Sequence, residues 1–266
     1  MAEAACPRGS PGRETAFWSK KFLVVVTGAS GGIGRGIAVS FAEHVAEGSL
    51  LVITGRNTAG LEETKRIIAA LGREVNVSVE TCDHSRALFR DYQDLLERAS
   101  ARLPDPDRAV LEHNATTIGN CSDYAVSYDD ERAIDDYYRL NLTSVMTLTA
   151  AFLRRYDSDS GPTRTIVNVS SIAGIKAGPR VGLYCTVSLP VSSVGHMCFL
   201  EPGSTDTLKR RRKQVMTSGT TCRKNVESLN VRSLRRNMER LMSGKKGGFY
   251  VDITSHLTTL ERRVHV

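Results

Sequence analysis

FLVVVTGASGGIG, Phe22 to Gly34, decides the fold. Five apolar or β-branched residues lead to Thr27, a cluster of glycines follows at Gly28, Gly31, Gly32 and Gly34, and an apolar-periodic segment then opens at Ile33. A strand that feeds a helix through such a turn is built to receive phosphate. Gly28 permits the tight turn, Gly32 lets backbone approach a pyrophosphate, and Gly34 lets the helix pack on the strand. The helix N-terminus then presents amide N–H groups and the positive end of its dipole to the anion.

Outward from this turn, short β-rich runs alternate with helix-length amphipathic segments, the pattern of βαβ units. Strands are expected at 22–26, 50–54, 75–80, 109–112 and 165–169, and helices at 33–44, 61–71, 87–101 and 134–154. The fold class is therefore α/β, with a doubly wound parallel β-sheet flanked by helices. After Tyr184 the rhythm degrades, because LPVSSVGHMCFLEPG carries Pro190 and Pro202 where a long amphipathic helix belongs. The helix after Tyr184 reads as truncated. Further on, a strand is expected at 194–200, a helix at 229–242 and a last strand at 248–253. The organisation expected is a flexible leader over 1–20, one nucleotide-binding domain over 21–256 and a tail over 257–266.

At 266 residues, 41% hydrophobic and 24% charged, the chain fits one domain with a substantial core. It contains no 18-residue apolar run, and its opening residues lack the apolar stretch of a secretory signal. A cytoplasmic protein without membrane partners is expected. The six cysteines are scattered without a CxxC pair, so neither a metal site nor a disulfide framework is indicated. Charge is uneven: residues 201–266 hold 15 Lys/Arg against 6 Asp/Glu, whereas residues 1–200 hold 21 against 23. The densest basic run, Lys209 to Lys213, lacks an accompanying binding module or interleaved aromatics, so it reads as a solvated face and no nucleic-acid partner is expected.

The second strand ends Thr54-Gly55-Arg56-Asn57. At that position an acidic residue suits a ribose 2′-hydroxyl and an arginine suits a 2′-phosphate, so Arg56 argues for NADPH/NADP+ over NADH. Ser171 and Tyr184 stand 13 residues apart, in SIAGIKAGPRVGLY, and Asn141 lies within LNLTS. Together with the TGxxxGxG turn, these residues resemble the short-chain dehydrogenase/reductase family across residues 22 to about 184. The resemblance implies an NADPH-dependent oxidoreductase with Ser171, Tyr184 and Asn141 catalytic. It further implies cofactor contacts from Gly28, Ser30, Gly31, Gly32, Ile33, Gly34, Arg56, Asn57, Asp83, Asn114, Pro202 and Gly203. The chemistry suits these residue types. Hydride reaches a carbonyl carbon, negative charge develops on oxygen, and hydroxyl groups must stabilise and then protonate it.

Several stretches resemble the pterin-reducing members of the family: Gly55 to Asn57, Leu140 to Ser144, Leu183 to Cys185, Pro202 to Thr207 and Gly248 to Asp252. The resemblance implies a pterin side-chain carbonyl as small-molecule substrate, held by Ser171, Tyr184 and Asp252, in tetrahydrobiopterin synthesis, and a homodimer that loss of the helix after Tyr184 would undermine. Two positions depart from the family pattern. A phenol titrates near 10 and needs a nearby cation to work as an acid at neutral pH; the family supplies a lysine four residues after the tyrosine, and here that residue is Ser188. Thr116 stands where the family has a glycine beside the cofactor, in His113-Asn114-Ala115-Thr116. Impaired catalysis is the expectation. The competing reading is a catalytically inactive NADP-binding family member, or an aberrant isoform, that acts, if at all, through protein association.

Overall fold

The computed structural model describes residues 17–157, 161–171, 173 and 180–188, together with the backbone of 258–260. β1 (Phe22–Thr27) leads through the glycine turn into α1 (Gly32–His44), followed by β2 (Leu50–Gly55), α2 (Thr58–Ala69), β3 (Asn76–Thr81), α3 (Phe89–Arg102) and β4 (Arg108–His113). A helix then runs as α4 (Glu131–Tyr138), a π-helical turn (Arg139–Thr143) and α5 (Ser144–Arg155) before β5 (Thr163–Asn168). Residues 182–188 form one more helical segment, α6. The sheet order is β3-β2-β1-β4-β5, all parallel, and β6 (Thr258–Leu260) pairs antiparallel on the outer edge of β5. Order reverses between β1 and β4, the switch point at which such sheets open a crevice beyond their carboxyl ends.

The doubly wound sheet expected from the sequence is present, with each of the five parallel strands and their helices within a few residues of its expected place. The strand expected at 248–253, the helix at 229–242 and the strand at 194–200 lie outside the described residues, as do Pro202, Gly203 and Asp252. So do residues 189–201, on which the expected truncation of the helix after Tyr184 rests.

Alternation along the central strands builds two cores. On one face Val24, Val26, Ile53 and Val110 pack against Ile37 and Phe41 of α1 and Leu61 and Ile68 of α2. On the other, Leu23, Val25 and Leu111 pack against Leu95 and Leu96 of α3 and Leu148 and Phe152 of α5. All six residues of β1 are buried, because both faces are covered. A rigid central strand therefore ends at Thr27, directly beneath the turn. Before β1, Trp18 stacks on Phe22 with ring centroids 5.6 Å apart, and the Arg108 guanidinium lies 4.3 Å over the Phe17 ring. Among the described residues, no helix is long and apolar enough to cross a membrane.

Candidate functional site

The glycine turn is locked from β4. The Thr27 hydroxyl donates to the Glu112 carbonyl at 3.2 Å and accepts from the Asn114 and Ala115 N–H groups at 2.9 and 3.0 Å. The Asn114 amide donates to the carbonyls of Thr27 at 3.0 Å and Gly28 at 3.4 Å. Asn114 thus ties the ends of two neighbouring strands together at the switch point. Gly28 holds a φ of +68°, and a Cβ on Gly34 would lie 2.3 Å from the Gly28 carbonyl oxygen, so each needs glycine for a different reason.

Gly31 and Gly32 differ from these two. A Cβ on either would meet nothing within 4 Å, so both border open space at the start of α1. That helix has no side-chain cap on its first turn. Its orphan N–H groups together with this opening fit a pyrophosphate that would take the place of the cap. Ser30 belongs to the scaffold of the turn: its carbonyl accepts from Arg35 Nη2 at 2.8 Å, and the same guanidinium reaches Thr64 Oγ1 and the Gly60 carbonyl. Ile33 packs partly buried against the core beneath α1.

Beside the turn, Asn57 caps α2 by accepting from the Gly60 N–H at 3.0 Å. Arg56, one residue earlier, is exposed at the carboxyl end of β2. Past β3, the Asp83 carboxylate accepts from the Ser85 hydroxyl at 2.6 Å and the Ser85 N–H at 3.0 Å. The Ser85 hydroxyl bond is the main reason that this carboxyl titrates below its ordinary range, with Arg56 and Arg86 adding to the effect. Behind it His84 is buried between Thr54 and Tyr92, and desolvation lowers its pKa to about 4. A cleft of about 560 Å³ opens here over the ends of β2, β3 and β4, bordered by Arg56, Ser85 and Arg86 on one side and by Thr117, Tyr137 and Arg139 on the other.

The second group of expected residues gathers around a small cavity of about 20 Å³, room for about one water, lined by Asn141, Tyr184, Ser170, Ser188, His113 and Thr116 among others. Asn141 lies in the π-helical turn, a distortion frequent at functional sites. Its Oδ1 accepts from the Thr116 hydroxyl at 2.6 Å and the Thr117 N–H at 2.9 Å, and its Nδ2 donates to the Tyr137 carbonyl at 3.1 Å. Among the described residues, the second amide N–H of this buried side chain has no hydrogen-bond acceptor. The structure brings Asn141 and Tyr184 to the same cavity. Ser171 lies beside it rather than in its lining, with its hydroxyl accepting from the Ala173 N–H at 3.2 Å.

Ser188 is buried, its hydroxyl donates to the Tyr184 carbonyl at 2.7 Å, and its own carbonyl accepts from Ser170 at 3.0 Å. Among the described residues lining this cavity there is neither a lysine nor an arginine. His113 supplies no charge either: it is buried against Thr149, and desolvation takes its pKa down to about 3. Thr27, Arg35 and Ser170 were missed by sequence reading. Thr27, the last residue of β1, carried a usable signal, since a hydroxyl on a buried strand end must find partners.

The parallel sheet, its switch point and the strand–glycine–helix turn define a Rossmann-type doubly wound α/β protein. The short chain dehydrogenase family model matches residues 23–188, and the chain belongs to that family. The sepiapterin reductase of Meriones unguiculatus is 32% identical over 168 residues, covering 62% of this chain and 63% of that protein. The matched stretch thus spans less than two thirds of this curated relative. Among solved structures, a short chain dehydrogenase from Salmonella enterica superposes with a TM-score of 0.56 at 26% identity, over 67% of this chain and 70% of that one. A putative short chain dehydrogenase from Escherichia coli CFT073, complexed with NADPH, gives a TM-score of 0.56 at 25% identity, over 69% of this chain and 72% of that one.

Proposed function

We propose that the chain is an NADPH-dependent carbonyl reductase acting on a pterin side chain, as in tetrahydrobiopterin synthesis, with turnover slowed by Ser188. The observation that carries the reading is the meeting of Asn141 and Tyr184 at one cavity beside a glycine turn whose Gly31–Gly32 side stands open. The name of the Meriones relative supports the substrate class, and the NADPH complex of the Escherichia coli neighbour supports the cofactor. In this reading Gly28, Gly31, Gly32, Ile33 and Gly34 hold the pyrophosphate, with Ser30 supporting the turn. Arg56 and Asn57 sit at the 2′-phosphate, Asp83 at the adenine and Asn114 behind the turn. Asp252 takes the pterin edge, and Pro202 and Gly203 complete the cofactor site.

A bound reduced nicotinamide supplies the hydride. The chain's own residues do the rest: the Ser171 hydroxyl donates to the substrate carbonyl oxygen, and the Tyr184 phenol passes its proton to that oxygen as charge develops. Asn141 fixes the π-helical turn and offers its remaining N–H toward the cavity. At residue 188 a hydroxyl turned back onto the Tyr184 carbonyl cannot replace an ammonium, so proton delivery loses its electrostatic help.

The test is NADPH binding to the full chain by fluorescence, beside sepiapterin-dependent NADPH oxidation by the unaltered chain and by Ser188→Lys. Binding is expected, with slow oxidation that the lysine accelerates by about 10²- to 10⁴-fold. Binding without oxidation in either form would favour the second reading, a non-catalytic family member. That reading draws on the absence of lysine and arginine among the described residues lining the cavity and on the Thr116 side chain bound to Asn141. Failure to bind NADPH would sink both.

A further inference from the structure

The 560 Å³ cleft holds more positive charge than one cofactor-selecting arginine explains. Arg56 follows β2, Arg86 follows β3, and Arg139 begins the π-helical turn on the opposite wall. Three guanidinium groups from three separate elements border one opening. The Arg56 and Arg139 side chains make no hydrogen bond or close ion pair among the described residues, though Arg56 acts electrostatically on Asp83. Arg86 touches Asp83 only at 4.0 Å, with 85% of its side chain exposed. One carboxylate, Asp136, shares the lining. Asp83, two residues before Ser85, keeps its negative charge while it accepts from Ser85, so the three guanidinium groups face two carboxylates and exceed them by one charge. The cleft therefore carries a net positive field, and its volume suits a small-molecule site.

We propose that Arg86 and Arg139 join Arg56 in a three-sided clamp for a ribose phosphate monoester, so that selection of the 2′-phosphorylated dinucleotide is shared across the cleft. The proposal rests on the dinucleotide reading above and assigns it two further specificity-determining residues. The geometry explains why three are present. A doubly charged phosphate offers three acceptor oxygens, and guanidinium forks arriving from the β2 end, the β3 end and the facing helix can each take one without competing for the same approach. Because Arg139 lies two residues before Asn141 on the same π-helical turn, phosphate held by Arg139 also anchors the turn that positions Asn141 at the other cavity.

The experiment measures dissociation constants of NADPH, NADH and 2′,5′-ADP for the full chain and for Arg56→Gln, Arg86→Gln and Arg139→Gln, with circular dichroism and melting temperature as controls of folding. Each Arg→Gln variant is expected to weaken NADPH and 2′,5′-ADP by roughly 10- to 100-fold, the range for a lost charged hydrogen bond. NADH should stay within about twofold, since it lacks the phosphate. If the unaltered chain prefers NADPH and only Arg56→Gln weakens it, the clamp is wrong while the cofactor reading stands. If a variant weakens NADH as much as NADPH, its arginine is not selecting phosphate, and the clamp fails at that residue. If the unaltered chain binds neither dinucleotide nor 2′,5′-ADP, both readings fall together.

Discussion

Neighbouring glycines in the turn do opposite jobs, and substitutions separate them. An alanine at Gly34 would drive its Cβ to 2.3 Å from the Gly28 carbonyl oxygen and 2.5 Å from the Asn114 amide, both fixed by the β1–β4 junction. Gly34→Ala is expected to lower unfolding free energy by about 1–3 kcal/mol or more, the range for overpacking, in urea melts. At Gly31, where φ is 177° and a Cβ would meet nothing within 4 Å, Gly31→Ala should leave stability within about 0.5 kcal/mol. The same methyl would stand in the space offered to the pyrophosphate, so NADPH binding should weaken even though the fold does not. Equal stability losses in the two variants would contradict this division. The sequence announced the four glycines together. It could not say which two faced protein and which two faced open space, because that depends on where Asn114, some 80 residues later, arrives.

At the scale of elements, the connection from β2 into α2 links the fold to the cleft. Asn57 caps α2 through the Gly60 N–H, and the preceding residue is Arg56. Asn57→Ala is expected to cost about 1 kcal/mol, the usual loss of a helix cap, and to loosen Arg56, so that NADPH weakens more than NADH. Equal weakening of the two would place Asn57 on the dinucleotide itself rather than under Arg56. Elements of this kind were legible wherever one period dominated. β1 and β2 are continuous apolar runs because both faces are covered, β4 keeps the shorter run Ala109-Val110-Leu111, and α1 to α3 repeat apolar residues at helical spacing. The helix expected at 134–154 was legible as a helix, but its π-helical turn was not. LNLTS contains no glycine or proline, and the distortion is stabilised by the amide of Asn141 bridging Tyr137 to the Thr116–Thr117 loop. Such a tertiary bond leaves no local pattern. The structural part of the adjacent Ser170 left no local pattern either: spacing singles out Ser171, and only the fold shows that Ser170 lines the cavity and donates to the Ser188 carbonyl.

For the whole molecule, the buried end of β4 sets an unusual dependence of stability on pH. Glu112 and His113 are adjacent and buried, and His84, buried beyond β3, is close enough to act electrostatically on His113. Burial raises the Glu112 pKa from 4.5 to about 8, and lowers His84 and His113 from 6.5 to about 4 and about 3. The histidines are neutral when folded, so between pH 6.5 and 4 the unfolded chain binds more protons, and stability falls as pH falls. Glu112 works in the opposite sense. Between pH 4.5 and 8 the folded chain keeps a proton that the unfolded chain releases, so stability falls as pH rises. Two histidines outweigh one carboxyl below pH 6.5, and the carboxyl acts alone above it. These three groups together place their stability optimum near pH 6.5, with each unbalanced proton worth on the order of 1.4 kcal/mol per pH unit. Urea midpoints measured from pH 5 to 8 should therefore decline on both sides of that optimum. In Glu112→Gln, which cannot ionise, the decline above pH 6.5 should flatten while the acid limb steepens. An alkaline limb that stays the same in Glu112→Gln would mean that the Glu112 carboxylate is ionised inside the fold, and that the crevice floor holds a charge rather than a proton.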